Sequence, residues 1–152
     1  SLTNSFVPAT LKSTEGEYYI CLIDCPPSLC LLSVNGLVAA DYVFVPVQTE
    51  FYAMEGMGQL VQTIQRIQQN LNPSLSILGV VLTMYDSRTS LSSQVRQEVE
   101  RVFGDLVFKT VIPRNVRLAE APSHGEPIVQ YDKWSKGARS YKALAKEVLN
   151  RL

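Results

Sequence analysis

Residues Tyr18 to Asp41 read YYICLIDCPPSLCLLSVNGLVAAD, a stretch that changes character three times. Tyr18 to Ile23 is an unbroken apolar run rich in β-formers, the pattern of a strand buried on both faces of a parallel sheet. The run ends in Asp24, an acid where such a strand meets solvent at its C-terminal edge. Pro26 and Pro27 then forbid both further pairing and an immediate helix, because proline lacks the N–H and restricts its predecessor. From Leu31 to Ala40 the apolar residues return with a helical pattern. Strand, acid, turn and helix together make the opening of an α/β unit.

The same alternation continues downstream. YVFVPV, residues 42–47, reads as a second buried strand, with Gln48, Thr49 and Glu50 at its exit. Met54, Met57, Leu60, Val61, Ile64, Ile67 and Leu71 recur at helical spacing until Asn72-Pro73 stops the helix. Ile77 to Met84 is the third expected strand, leading into the polar loop Tyr85 to Thr89. Leu91, Val95, Val99 and Val102 mark the next helix, with Gly104 placed to end it. Val107 to Ile112 is the fourth expected strand, and Pro113 begins the polar, turn-rich PRNVRLAEAPSHG. A last helix, Ser135 to Leu152, carries Tyr141, Leu144, Ala145, Val148 and Leu149 as its expected buried stripe.

Strands alternating with helices predict an α/β fold: a doubly wound, mostly parallel sheet with helices on both faces. Ligands of such sheets bind beyond the carboxyl ends of the strands. Asp24, Gln48–Glu50, Asp86–Arg88 and Pro113–Arg117 all fall at that edge, so one site is expected there.

With 152 residues, 46% of them apolar, the chain can bury the core of one domain. Its 14 basic and 14 acidic residues balance, so any DNA contact must come from a local basic patch. No apolar run reaches membrane-spanning length and no signal-peptide pattern opens the chain, so a cytoplasmic location is expected. Cys21, Cys25 and Cys30 lie on or beside the first run with no histidine near; they read as reduced thiols rather than metal ligands.

IDCPPSLCLLSVNGLVAAD resembles the Walker B region of the ParA/Soj partition ATPases, relatives of MinD. The resemblance continues through VPVQTEFYAMEGMGQL, GVVLTMYDSRTSLSSQV and KTVIPRNVRLAEAPSHGEPIVQYDKWSKGA, in order and with the family's spacing. It implies a partial P-loop NTPase fold: residues 1–152 as one nucleotidase domain, with 1–17 an irregular lead-in and 18–152 the family core. No G-x-x-x-x-G-K-[ST] phosphate loop occurs in the sequence, so the resemblance is to the larger, C-terminal part, and no catalytic residue is assigned within this chain.

The resemblance also implies roles. Asp24 would hold magnesium through a water, as the Walker B acid does in P-loop nucleotidases. Pro113 and Asn115, joined by Met84 and Asp86, would line the adenine side of an ATP site. Ser28 would lie near the γ-phosphate or cap a helix. Arg88 and Arg117 correspond to arginines that bind DNA without sequence preference, and Arg114, Lys109, Arg139 and Lys142 would extend the patch. His124 reads as a loop residue. The implied function is an ATP- and Mg²⁺-dependent partition protein for chromosome or plasmid. It would act as a homodimer on nucleoid DNA with a ParB-like partner. A MinD-like membrane-cycling ATPase, or a non-catalytic binding and dimerisation module, are the alternatives.

Overall fold

The computed structural model describes residues 18–26, 31–50 and 53–152, with side chains from 56 onward in the last stretch. Pro27, Ser28, Cys30, the lead-in 1–17 and the Met54 side chain lie outside the described residues. Two compact units divide the chain, one ending at Val43 and resuming over Met57–Ser76, the other Phe44–Gly56 with Ile77–Leu152.

In the first unit, helix α1 spans Leu31–Ala39, as expected from its apolar spacing. Its C-terminal carbonyls are closed by one side chain. Asn72 Nδ2 lies 3.2 Å from Leu37 O, 3.2 Å from Val38 O and 2.8 Å from Ala40 O. That contact satisfies acceptors which a helix end otherwise leaves open. Helix α2, Ala53–Asn70, buries Met57, Ile64 and Ile67, while Leu71 beyond its end is exposed. Gln68 Nε2 donates to Leu75 O at 2.7 Å and fastens the turn after α2.

The first apolar run departs from expectation. Residues 20–26 form no strand, and Tyr18, Tyr19, Ile20, Leu22 and Ile23 are exposed. A doubly buried strand needs a ladder on its edges and a layer on each face, and among the described residues 20–24 have no ladder. The run passes close to α1: a Cβ on Gly36 would lie 2.9 Å from Cys25 Sγ, so the missing side chain permits the approach.

Strand β1 is Tyr42–Gln48 and β2 is Ser76–Thr83, paired as neighbours. Ser76 N–H donates to Asp41 O, and Thr49 N–H donates to Thr83 O, each at 3.1 Å. The near-constant offset makes the pair parallel, with α2 as the crossover. β1 is not buried on both faces: Val43, Val45 and Val47 are covered while Tyr42, Phe44 and Pro46 are exposed. Pro46, which cannot donate to a ladder, suits an edge position. β2 is covered from Leu78 through Leu82, as a central parallel strand should be.

In the second unit, helix α3 (Ser90–Phe103) starts at a Thr89 cap and ends at Gly104, whose φ of 51° favours glycine. The expected fourth strand is an extended segment paired to β2 at its two ends only. Parallel bridges join Val80 to Val107 and Tyr85 to Pro113, and Phe108 and Ile112 N–H donate to Val80 and Leu82 O, each at 2.8 Å. Between them, the amides of Lys109 and Thr110 donate to the Glu147 carboxylate instead, at 2.7 and 3.0 Å. A side chain from the last helix has replaced a strand neighbour.

The polar stretch after Pro113 is more regular than its turn residues suggest. It holds α4 (Val116–Glu120), a 3-10 turn at Ala121–His124 and the short α5 (Ile128–Tyr131). Helix α6 (Lys136–Leu149) packs Gly137 against Leu118, where a Cβ would meet the leucine at 2.6 Å. Leu78, Val81, Phe108, Ile112 and Leu144 form the core, with Leu118 and Val148 packed on it. The expected α6 stripe is therefore only half used, because Tyr141, Ala145 and Leu149 are exposed.

Candidate functional site

Three chain exits lie side by side in the second unit, registered by backbone bonds. β1 leaves at Thr49–Glu50 and β2 at Met84–Arg88, held by the Thr49–Thr83 bond. The third exit, Pro113–Arg117, is tied to the second because Tyr85 N–H donates to Ile112 O and Arg114 N–H donates to Tyr85 O, both at 3.0 Å. The convergence expected of Gln48–Glu50, Asp86–Arg88 and Pro113–Arg117 is thus present. Asp24 lies in the exposed run 20–26 of the first unit.

The side chains at the exits are already engaged with each other. Asp86 accepts from Arg88 Nε at 2.9 Å, from its terminal nitrogen at 2.8 Å, and from its backbone N–H at 3.0 Å. Those bonds, led by the guanidinium, lower the Asp86 carboxyl to about 2 and raise Arg88. Arg117 donates to Glu120 at 2.9 Å and lies 3.6 Å from Asp132, while Tyr131 OH donates to the same Glu120 at 3.2 Å. The Glu120 bond is the largest of the influences that raise Arg117. Arg114 reaches Glu50 at 3.2 Å. Lys109, Arg139 and Lys142 are exposed. His124 is exposed and stacks on Tyr131 with ring centroids 4.9 Å apart.

Asn115 caps α4, its Oδ1 accepting from Arg117 N–H at 2.9 Å. The Nδ2 donors have no partner among the described residues, and the side chain is half-buried. A half-buried carboxamide two residues after Pro113, on the exit paired to Tyr85 next to the exposed Met84, offers donors near an apolar surface, a chemistry that fits a nucleobase. For magnesium, no group of three His, Cys, Asp or Glu side chains that could hold a metal occurs among the described residues. One carboxylate acting through water, with phosphates completing the shell, is nevertheless an ordinary magnesium site, and Asp24 fits that limited part.

The structure adds a network that the sequence reading missed. Thr49 and Ser92, both buried, share a hydroxyl contact at 3.1 Å, and Thr89 Oγ1 donates to Ser92 at 2.9 Å. The signal was present in TSLS, where Thr89 caps the helix and Ser92 lies three residues on.

A family model described as an AAA domain matches residues 3–77. Chromosome-partitioning ATPase Soj of Treponema pallidum (strain Nichols) is 51% identical over 146 residues, which are 96% of this chain and 58% of that protein. Sporulation initiation inhibitor protein Soj of Bacillus subtilis (strain 168) is 56% identical over 138 residues, 91% of this chain and 54% of that protein. The chain belongs to the ParA/Soj family. It spans a little over half the length of these curated relatives. Among solved structures, cobyrinic acid a,c-diamide synthase from Mycobacterium smegmatis with bound ADP and magnesium matches this ParA/Soj chain with a TM-score of 0.74 at 38% identity. The match covers 94% of this chain and 51% of that one. The cell division ATPase MinD of Pyrococcus furiosus, 23% identical, matches with a TM-score of 0.78 over 98% of this chain and 59% of that one. The second likeness bears on the fold alone; with the first, it bears out the α/β class, a partial P-loop NTPase fold.

Proposed function

We propose that the intact protein is an ATP-hydrolysing partition protein that segregates chromosome or plasmid DNA in the cytoplasm. The observation that carries this is the convergence of Thr49–Glu50, Met84–Arg88 and Pro113–Arg117 at one sheet edge, in a chain 56% identical to a Soj protein. Residues 1–152 are read as one nucleotidase domain, with 18–152 its family core. Pro113, Asn115, Met84 and Asp86 would line the base, and Asp24 would hold magnesium through a water. When bound, magnesium neutralises phosphate charge. Arg88 and Arg117 contact DNA phosphates without reading sequence. Two ATP-bound copies double that patch, and a ParB-like partner stimulates turnover.

The test is ATP hydrolysis by the purified intact protein, with and without DNA and partner. Asp24→Ala should abolish hydrolysis, and Asn115→Ala should weaken ATP binding. Full activity in both variants would remove the reading.

A second reading is favoured by the exposed Tyr141, Ala145 and Leu149 on α6, flanked by the exposed Lys142 and Lys146. An apolar stripe with basic neighbours suits an anionic membrane surface, as a MinD-like cycle requires. Co-sedimentation with anionic vesicles separates the two, since a partition protein stays in the supernatant. No helix among the described residues is long and apolar enough to cross a membrane.

A further inference from the structure

Met84 carries a positive φ of 50°, which among the described residues no other non-glycine residue shares. Left-handed backbone costs an L-residue free energy and persists where its surroundings enforce it, commonly at functional sites. Here the enforcing group is identifiable. The hydroxyl of Thr49, a residue only 4% exposed, donates to Met84 O at 3.2 Å, with Thr83 O farther away at 3.5 Å. A hydroxyl has one hydrogen to give. With that hydrogen on Met84, Ser92 is the donor in the 3.1 Å contact with Thr49. Ser92 in turn accepts from Asp86 N–H at 3.4 Å.

The bonds therefore run from Asp86 through Ser92 and Thr49 back to Met84, bracketing the β2 exit. Met84 is also where the chain changes partners. The residue before it accepts from Thr49 N–H, and the residue after it pairs with Ile112 and Arg114. Fixing one backbone angle at Met84 thus fixes how the second exit meets the third.

We propose that Thr49 is a positioning residue for the nucleobase: its hydroxyl, supported by Ser92, holds Met84 left-handed and so sets the shape of the wall that Met84 and Asp86 present to the ring. The proposal rests on the nucleotide reading above. Thr49 touches no ligand in this scheme and acts through Met84.

The intact protein carries the test, with a fluorescent ATP analogue as probe. Thr49→Val keeps the shape and removes the hydroxyl, and should weaken binding about tenfold, while Thr49→Ser should stay within about twofold of wild type. Glycine adopts positive φ without support. The Thr49→Val penalty should therefore shrink to about twofold in a Met84→Gly background, whereas a merely structural role predicts the same penalty in both. Without nucleotide, Thr49→Val should also speed amide hydrogen exchange at Asp86. If Thr49→Val does not fold, Ser92→Ala takes its place in each comparison. An unchanged affinity, or an equal penalty in the glycine background, overturns the proposal. Should Asn115→Ala bind the probe as well as wild type, the nucleobase reading itself fails; if Asn115→Ala weakens binding and Thr49→Val does not, only the role of Thr49 fails.

Discussion

Asp86 grips Arg88 at both edges of its carboxylate, and takes the backbone N–H of the same residue as well. The backbone bond does not need the guanidinium, so the acid stays in place when the arginine leaves. Phosphate oxygens must either displace Asp86 or use the donors it leaves over, since guanidinium has five. Arg117 is also engaged, with one bond to Glu120 at 2.9 Å and Asp132 lying 3.6 Å away, while its backbone N–H donates to Asn115.

The first prediction concerns pH. Asp86 has its folded pKa depressed from 3.8 to about 2 by Arg88. A depressed carboxyl contributes stability that is present above its unfolded pKa and lost as pH falls through the folded one. The contribution should therefore be intact at pH 5 and fade between about pH 4 and 2. Titration of the Asp86 side-chain carbon by NMR should give a midpoint near 2, rising toward the ordinary value in Arg88→Ala. A midpoint unaffected by Arg88→Ala would show that the fork is not formed in solution.

The second prediction tests the DNA reading in the intact protein. Arg88→Ala with Arg117→Ala should weaken DNA binding at every sequence and leave ATP affinity largely unchanged. Each lost phosphate contact should reduce the slope of log affinity against log salt by about one. A gel shift over a salt series, with and without ATP, reads both effects. If the double variant binds like wild type, the patch lies elsewhere; if ATP changes nothing, avidity through a dimer fails.

The third prediction is on stability. Arg151 donates to four backbone carbonyls: Leu78 at 3.1 Å, Leu106 at 2.8 Å, Asp105 at 3.3 Å and Val107 at 3.1 Å. Its guanidinium also lies 4.0 Å from the Phe108 ring centroid. Gly79 is what admits it, because a Cβ there would sit 2.5 Å from both Arg151 and Phe108. Arg151→Ala should cost about 2 kcal/mol, the scale of a few charge-assisted bonds that are partly exposed. Gly79→Ala should cost about 1–3 kcal/mol, as overpacking does. Denaturant melts of both variants check this, and a neutral Gly79→Ala would mean that the segment moves aside freely.

How far the sequence carried can be judged residue by residue. Helical spacing located α1, α2, α3 and α6, and Gly104 and Asn72-Pro73 ended two of them where expected. Periodicity names an apolar face but not what covers it, which is why Tyr141 and Leu149 were misread as core. α4 was hidden because its five residues sit between proline and proline, and its cap, Asn115, is equally a turn former. The interruption of the fourth strand depends on Glu147, 37 and 38 residues away from the amides it binds. No local pattern contains that contact. The three exits were legible because each follows an apolar run, whereas the Thr49–Ser92 relay joins residues 43 apart.

The fourth prediction is that the 152-residue chain alone does not bind ATP at micromolar concentration. Phosphates need a cradle of backbone N–H groups and a lysine, and the sequence has no G-x-x-x-x-G-K-[ST] pattern to supply them. Donors at Asn115 can orient a base but cannot neutralise a triphosphate. Fluorescence titration with an ATP analogue and magnesium decides it; tight, magnesium-dependent binding would mean that another segment holds the phosphates.

The last prediction follows from the first apolar run. Tyr19 is fully exposed, and Leu22 is 88% exposed, in a segment where residues 20–26 form no strand among the described residues. An apolar run whose backbone lies outside any ladder is a template for pairing with another chain, and the exposed side chains of Tyr19, Ile20 and Leu22 add apolar area to the contact. The isolated chain should therefore self-associate as its concentration rises. Lysine at a strand edge opposes such pairing through charge and hydration, so Tyr19→Lys with Leu22→Lys should shift the sedimentation profile toward monomer. The substituted side chains are exposed, so the fold of the second unit should be untouched and its melting unchanged. A monomeric wild type at high concentration would show that the run is covered within one copy. Association that persists in the lysine variant would move the sticky surface to α6, where Tyr141→Lys with Leu149→Lys should then abolish it.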